Sequence, residues 1–330
     1  MGVSSYQKEL QVALRAVQQA GFLCRRIQAE VDPGVLEKRD RSPVTVADFG
    51  SQALICRSIS EAFPEDRIVA EEDSRQLRSP EAAQLANSVL SRLRRLLPEI
   101  TREKLFRWID RGRDSGGAGR FWCLDPIDGT KGFLRGDQYA VSLALIEDGQ
   151  VVLGALACPN FPLDGSGEGP RGQIFFAVRG EGAFVQDLEL RHPPEPVRVR
   201  EIAEPAQARF CESVDASHSS HSDSRQISRL LGIQNPPVRL DSQAKYAVVA
   251  SGIADIYLRL PTRKDYREKI WDHAAGHLII REAGGHVTDI TGAELDFSLG
   301  RELSRNRGVI ATNGLLHDAV LNAVHQTGIS

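Results

Sequence analysis

The sequence predicts an α+β half followed by an α/β half. Two observations carry that prediction. The first half opens on segments with apolar residues at helical spacing and then turns to paired short apolar runs joined by hairpin signals. The second half alternates strand-like and helix-like pieces. The chain has 330 residues, of which 41% are hydrophobic and 26% charged, as in ordinary globular proteins. That length allows two domains, or one two-lobed unit with a large core. No internal repeat is evident.

Residues 6–30 read as an amphipathic helix with Leu10, Leu14, Val17, Ala20 and Phe22 on its apolar side. The polar stretch from Glu37 to Val46 carries Ser42-Pro43, a turn or strand-entry signal, and Thr45 is placed to cap a second helix. That helix runs through Asp48, in its first turn, to Leu54, Ile55, Ile59 and Phe63, and Pro64 stops it. Arg67 to Ala70 is a short strand that delivers Glu71 and Glu72 at its end. Ala82 to Leu97 is helical again and peripheral. Phe121 to Leu124 is a short apolar run ending in acidic residues.

Tyr139–Ile146 and Val151–Ala157 read as two strands joined by a turn at Glu147-Asp148-Gly149-Gln150. Ile174–Val178 and Gly182–Val185 form another pair. The Gly-rich stretch from Asp164 to Gly172 reads as an exposed loop, and His192–Pro196, with three prolines, as a linker. The expected division is therefore residues 1–190 and 197–330. Beyond it come a strand at Val238–Leu240, a helix at Ala244–Ser251 and a strand at Ile256–Leu260. A helix from Trp271 to Ala283 is closed by Gly284-Gly285, and a strand at Gly308–Thr312 and a helix at Leu315–His325 end the chain.

The formal net charge is −3, from 41 basic and 44 acidic side chains. That balance argues against a broad basic surface for nucleic acid, and leaves room for a small phosphorylated ligand in a local basic pocket. The five cysteines, Cys24, Cys56, Cys123, Cys158 and Cys211, are odd in number and include no C-x-x-C pair. They read as reduced, buried thiols rather than a disulfide framework or a zinc site. No apolar run is long enough to cross a membrane, and residues 1–30 contain no cleavable apolar core, so a cytoplasmic location is expected. No interface stripe is identifiable, and a monomer is expected.

The informative residues are carboxylates placed at the ends of apolar strands or near a helix start: Asp48, Glu71, Glu72, Asp125, Asp128 and Asp272. Buried carboxylates repel one another and resist desolvation, so several of them converging call for cations. Oxygen ligands without His or Cys partners favour Mg²⁺, with Mn²⁺ as a substitute, over Zn²⁺. Asp125 and Asp128 are close enough in sequence for a turn stiffened by Pro126 to aim both at one point, with the Ile127 carbonyl as a further ligand. Gly129 allows close backbone approach to a ligand, and a helix starting at Gly129-Thr130 would offer free N–H groups to a phosphate.

Three ordered motifs carry a resemblance. They are Val69-Ala70-Glu71-Glu72, Asp125-Pro126-Ile127-Asp128-Gly129-Thr130, and Trp271-Asp272-His273-Ala274-Ala275-Gly276 running on to Glu282-Ala283-Gly284-Gly285. Together they resemble the inositol monophosphatase superfamily of lithium-sensitive, Mg²⁺-dependent phosphatases. The resemblance implies a layered αβαβα sandwich. Within the superfamily the chain looks most like the 3′(2′),5′-bisphosphate nucleotidases, on Ser42-Pro43-Val44-Thr45-Val46-Ala47-Asp48, Thr130–Arg135, His218-Ser219-Ser220-His221, Leu240–Tyr246 and Ile256–Pro261. The region from Ser79 to Gly119 carries none of the resemblance, and Ala70 stands where many relatives have Gly.

The resemblance implies roles residue by residue. Glu71, Asp125, Asp128, Asp272 and the Ile127 carbonyl would bind two or three Mg²⁺, with Li⁺ inhibiting at a metal position. Asp48 and Thr130 would position and deprotonate the attacking water. Gly129, His218, Ser242, Lys245 and Arg259 would hold the nucleotide substrate. Metal-activated water would then attack the 3′-phosphorus of adenosine 3′,5′-bisphosphate in line, leaving AMP, with 3′-phosphoadenylyl sulfate as a further substrate. An inositol polyphosphate 1-phosphatase, or an enzyme acting on both substrate classes, is the alternative, because the metal machinery would be the same and only the distal pocket would differ.

Overall fold

The computed structural model describes residues 5–30, 42–162, 171–214, 221–261, 263 and 265–329, with only the backbone at 42–44 and 221. Two long helices come first, α1 (Gln7–Ala29) and α2 (Ser42–Ala62). Strand β1 (Arg67–Ala70) follows, then α3 (Arg75–Arg78), α4 (Ala83–Arg94) and α5 (Arg102–Asp110). The next elements are β2 (Arg120–Asp128), the short helix α6 (Thr130–Leu134), and strands β3 (Ala140–Glu147), β4 (Gln150–Pro162), β5 (Arg171–Val178), β6 (Gly182–Asp187) and β7 (Glu195–Val197). The later chain supplies β8 (Phe210–Glu212), α7 (His221–Leu230), β9 (Val238–Arg239), α8 (Ala244–Ala250), β10 (Ile256–Arg259), α9 (Ala274–Glu282), β11 (His286–Thr288), β12 (Val309–Thr312) and α10 (His317–Gln326).

Strands β1 to β7 lie in sequence order in a 7-stranded sheet, and a 5-stranded sheet has the order β11-β12-β10-β8-β9. In the first sheet β1 and β2 are parallel and every later pair is antiparallel. The β3–β4 hairpin turns through Asp148 at φ 47° and Gly149 at φ 77°, the paired positive angles that a tight hairpin needs.

Side chains alternate across each strand, and this divides the core into separate layers. On β2, Trp122 and Leu124 join the cluster that includes Ala16 and Val17 of α1 and Phe49 and Ile55 of α2. Phe121 and Cys123 face the other way, toward Tyr246 of α8 and Ile279 of α9. On β10 the same alternation places Tyr257 with α8 and α9, and Ile256 and Leu258 with Ile227 of α7 and Val320 of α10. The result is helices, sheet, helices, sheet, helices: the αβαβα sandwich. With both faces covered, the strands read as continuous apolar runs rather than alternating ones.

Several local expectations need correction. Ser42-Pro43 is not a strand entry but the start of α2, where proline is tolerated because the first-turn N–H has no helical partner in any case. The helix thus begins before Thr45, and Asp48 sits beyond its first turn. The stretch from Trp271 is not continuous helix: Ile270–Asp272 is a 3₁₀ turn, and His273, at φ −135°, separates it from α9. The end of the proline-rich stretch is the edge strand β7, where a missing N–H is harmless. Helix α5 lies in the region left unplaced by the sequence; Thr101 caps it by accepting from the Lys104 N–H at 3.2 Å. All five cysteines are buried free thiols.

Candidate active site

The parallel pairing of β1 with β2 builds the centre of the site. Its register sets Ala70 opposite Leu124, so Glu71, just past β1, and Asp125, still within β2, lie side by side at the same end of the pair. The ladder is irregular between Asp125 and Asp128. There the Ile127 N–H donates to Asp125 Oδ1 at 3.1 Å, and the Pro126 carbonyl accepts from Ser51 Oγ of α2 at 2.9 Å. The irregularity turns Asp128 back toward the same point. Asp48 of α2 faces it too, close enough to feel the charges of Glu71 and Glu72.

These carboxylates are a crowded, like-charged group. Asp125 is 2% exposed. Burial, then the charges of Glu71, Asp128, Asp272 and Asp48, push its carboxyl well above the usual range. Asp48, also buried, is raised well above its ordinary value by burial, then by Glu72 and Glu71. Glu71 is raised to about 8 by loss of solvent, then by Asp272, Glu72 and Asp128. The residue is nonetheless exposed at the surface, so solvent moderates the burial contribution and the neighbouring charges matter beside it. The donors are all hard oxygens, the set that suits a divalent cation such as Mg²⁺.

The second half reaches this point through two segments. One is the 3₁₀ turn carrying Asp272, whose carboxyl is pushed up to about 6 by burial, with Arg259 opposing and Asp128 adding to the rise. The other is the turn before α8. Its Gln243 N–H donates to Asp128 Oδ2 at 2.6 Å, and the Gln243 side-chain amide donates to the Trp271 carbonyl at 2.9 Å. Ser242 holds φ 75°, rare for a residue with a side chain, and lies against Gly129. A Cβ on Gly129 would come within 2.8 Å of Ser242 Cβ, and Gly129 itself has φ 89°, so glycine is required there on both counts. Gly129 caps α6, and Thr130 begins it with an exposed side chain.

Lys245, in the first turn of α8, is 3% exposed and lies 5.2 Å from the Tyr257 ring centre. Burial lowers its ammonium below the usual lysine value, while the charge of Asp128 works against that shift. Arg259, at the end of β10, ion-pairs with Glu268 at 3.1 Å and lies 3.7 Å from Asp272. Behind it His273 Nε2 is 3.2 Å from Glu268, and its Nδ1 is 2.7 Å from the Tyr246 hydroxyl. Burial alone would raise the Glu268 carboxyl, but the His273 hydrogen bond and the Arg259 charge outweigh it and hold it below the usual value. Glu268, Asp272 and His273 bring potential ligand atoms within 4.8 Å of one another, yet the cation they hold is the guanidinium of Arg259.

The structure thus brings Asp48, Glu71, Asp125, Ile127, Asp128, Gly129, Thr130, Ser242, Lys245, Arg259 and Asp272 into one region. His218 lies outside the described residues, as does most of the His218–His221 stretch. Sequence reasoning missed Glu268 and Gln243. Glu268 stands four residues before Asp272 in a charged run and has no pattern of its own. Gln243 acts through its backbone N–H, which no residue type advertises.

A family model described as the inositol monophosphatase family matches residues 5–328. The chain belongs to this family. Curated members among its relatives are named 3′(2′),5′-bisphosphate nucleotidase. One from Emericella nidulans is 46% identical, covering 97% of this chain and 98% of its own. One from Oryza sativa is 45% identical over 97% and 94%, and one from Dictyostelium discoideum 40% identical over 99% of each. Solved inositol monophosphatases share the fold. The Thermotoga maritima enzyme matches with TM-score 0.64 at 24% identity, covering 98% of this chain and 99% of its own, and the Zymomonas mobilis enzyme with TM-score 0.65 at 20% identity, covering 98% and 100%. Among the described residues no helix is long and apolar enough to cross a membrane.

Proposed function

We propose that the chain hydrolyses the 3′-phosphate of adenosine 3′,5′-bisphosphate to give AMP and phosphate, with 3′-phosphoadenylyl sulfate as a second substrate. The observation that carries this reading is the convergence of a buried carboxylate cluster with two cationic side chains, the buried Lys245 and Arg259, the latter shared with Glu268 and Asp272. A phosphate ester at the cluster needs a cation there, and a second anionic group on the same substrate needs charge further away. The names of relatives at 40 to 46% identity support the nucleotide reading over the inositol polyphosphate one. The inositol monophosphatases among the solved structures cited above are only 20 to 24% identical and speak for the fold.

In this reading Glu71, Asp125, Asp128, Asp272 and the Ile127 carbonyl hold two or three Mg²⁺, with Mn²⁺ as a substitute and Li⁺ as an inhibitor. When bound, Mg²⁺ supplies the Lewis acidity and positive charge that phosphate-ester hydrolysis demands. Asp48 accepts the proton of the attacking water as a general base. Thr130 orients that water. Gly129 lets the backbone come close to the phosphate, and Ser242, Lys245, Arg259 and His218 hold the nucleotide. Residues 1–190 would then carry most of the metal ligands, and 197–330 the nucleotide pocket and the last ligand. A cytoplasmic monomer without affinity for nucleic acid completes the proposal.

Phosphate release from adenosine 3′,5′-bisphosphate, 3′-phosphoadenylyl sulfate and inositol 1,4-bisphosphate tests it, with Mg²⁺ and with or without Li⁺. The nucleotides should be preferred and Li⁺ should inhibit. Preference for the inositol substrate would overturn the assignment, and turnover unchanged by chelation would overturn the metal site.

A further inference from the structure

The loop between β11 and β12 sends one side chain across to the first sheet. Arg301 donates from Nη2 to the Ala70 carbonyl at 2.5 Å and from Nη1 to the Asp114 carbonyl at 2.9 Å. Its guanidinium lies over the Trp271 ring, 4.7 Å from the centre, and its own carbonyl accepts from the Ile270 N–H at 3.2 Å. Ala70 immediately precedes Glu71, and Trp271 immediately precedes Asp272. One planar group therefore grips the backbone before a carboxylate of the first sheet and the aromatic ring before a carboxylate of the second half. The bidentate fork and the stacked plane are both properties of arginine that lysine lacks.

We infer that Arg301 is a positioning residue for the cation site. It fixes the separation of Glu71 and Asp272 by clamping their chain neighbours, without itself contacting either carboxylate's ligand atoms. The inference rests on the metal-site reading above. It follows the general behaviour of groups that orient ligands from behind, whose loss weakens metal affinity by about 10- to 100-fold. Its ammonium analogue would keep the charge and lose the geometry.

The purified chain can be titrated with Mn²⁺, read from loss of the free-ion electron paramagnetic resonance signal, for the natural sequence and for Arg301→Met, Arg301→Lys and Glu302→Gln. Glu302, next to Arg301, ion-pairs with Lys269 ahead of the 3₁₀ turn, and its side chain has no hydrogen bond to either clamp point, so its variant controls for general disturbance. Arg301→Met should weaken Mn²⁺ binding about 10-fold or more, Arg301→Lys should fall between it and the natural chain, and Glu302→Gln should be unchanged. At saturating Mg²⁺ the KM for the nucleotide should not move. If Arg301→Met does not fold, Arg301→Lys decides alone. Natural affinity in the folded Arg301 variants, or an equal loss in Glu302→Gln, would overturn the positioning role and leave the metal site standing. Absence of Mn²⁺ binding by the natural chain would overturn both.

Discussion

Two acidic groups lie within reach of each other in this molecule, and they solve the same electrostatic problem differently. Glu268 is compensated from within: Arg259 pairs with it at 3.1 Å and reaches on to Asp272 at 3.7 Å, and His273, itself held by Tyr246, hydrogen-bonds it. Asp125, Asp48 and Glu71 have no such partner, and each is raised by burial and by the charge of the others. A protein that needed only stability at the second place could have put an arginine there as well. Leaving buried carboxylates uncompensated costs stability, and such costs accumulate where a bound group later repays them. The difference separates a carboxylate whose charge is met within the protein from a cluster that, on the proposed reading, would receive a cation.

The largest expected effect comes from neutralising the uncompensated group. Asp125→Asn should lower turnover by ~10³-fold, the scale on which loss of a charge-stabilising group is felt. It should also raise the melting temperature of the metal-free protein, since the replacement keeps the shape and removes repulsion. Steady-state kinetics with thermal unfolding in chelator checks both, and normal turnover would refute the role given to Asp125.

Removing the internal cation should act in the opposite direction on stability. Arg259→Met leaves Glu268 with only His273 beside it and should cost about 3–5 kcal/mol in urea unfolding, the usual penalty for breaking a buried pair from one side. A cost below about 1 kcal/mol would mean that solvent already screens the pair.

A smaller effect, with opposite signs for the raised and the depressed groups, concerns pH. Glu71 and Asp272 are raised in the folded state, to about 8 and about 6. The folded metal-free protein therefore binds more protons than the unfolded chain above the ordinary carboxylate range, and its stability should fall as pH climbs through those values. Glu268 is depressed and buried His277 is lowered to about 3. Their contributions are lost as pH falls, His277 from about 6.5 downward as the unfolded imidazole takes up a proton. Melting curves across pH should show both limbs in chelator, and Mg²⁺ should flatten the alkaline limb only. An alkaline limb indifferent to Mg²⁺ would count against the cation site.

Much of this contrast was legible in the sequence on one side only. Glu71, Asp125, Asp128 and Asp272 announce themselves because each follows an apolar run that ends in the site. The metal half of the site needs little more than strand ends and residue types. The compensating network does not announce itself, because Arg259, Glu268 and His273 meet only once β10, the 3₁₀ turn and α9 are folded. Asp48 was found but placed too early in its helix, because Pro43 reads as a break although the first helical turn accepts it. Helix α5 had a cap at Thr101 and a buried face of Leu105, Phe106 and Ile109, a signal present in the sequence but hidden by its many charges. Arg301 was out of reach, since its partners are backbone carbonyls.

Asp272, on the 3₁₀ turn that precedes α9, meets Glu71 from roughly 200 residues further along the chain. Closing so long a loop is entropically costly, and nothing local can do it early. The site therefore comes into being only when the two sheets have docked on the helices between them. Chains caught part-way through folding would be inert, and catalytic competence would be the final event of assembly, secured by the same ion that the reaction uses.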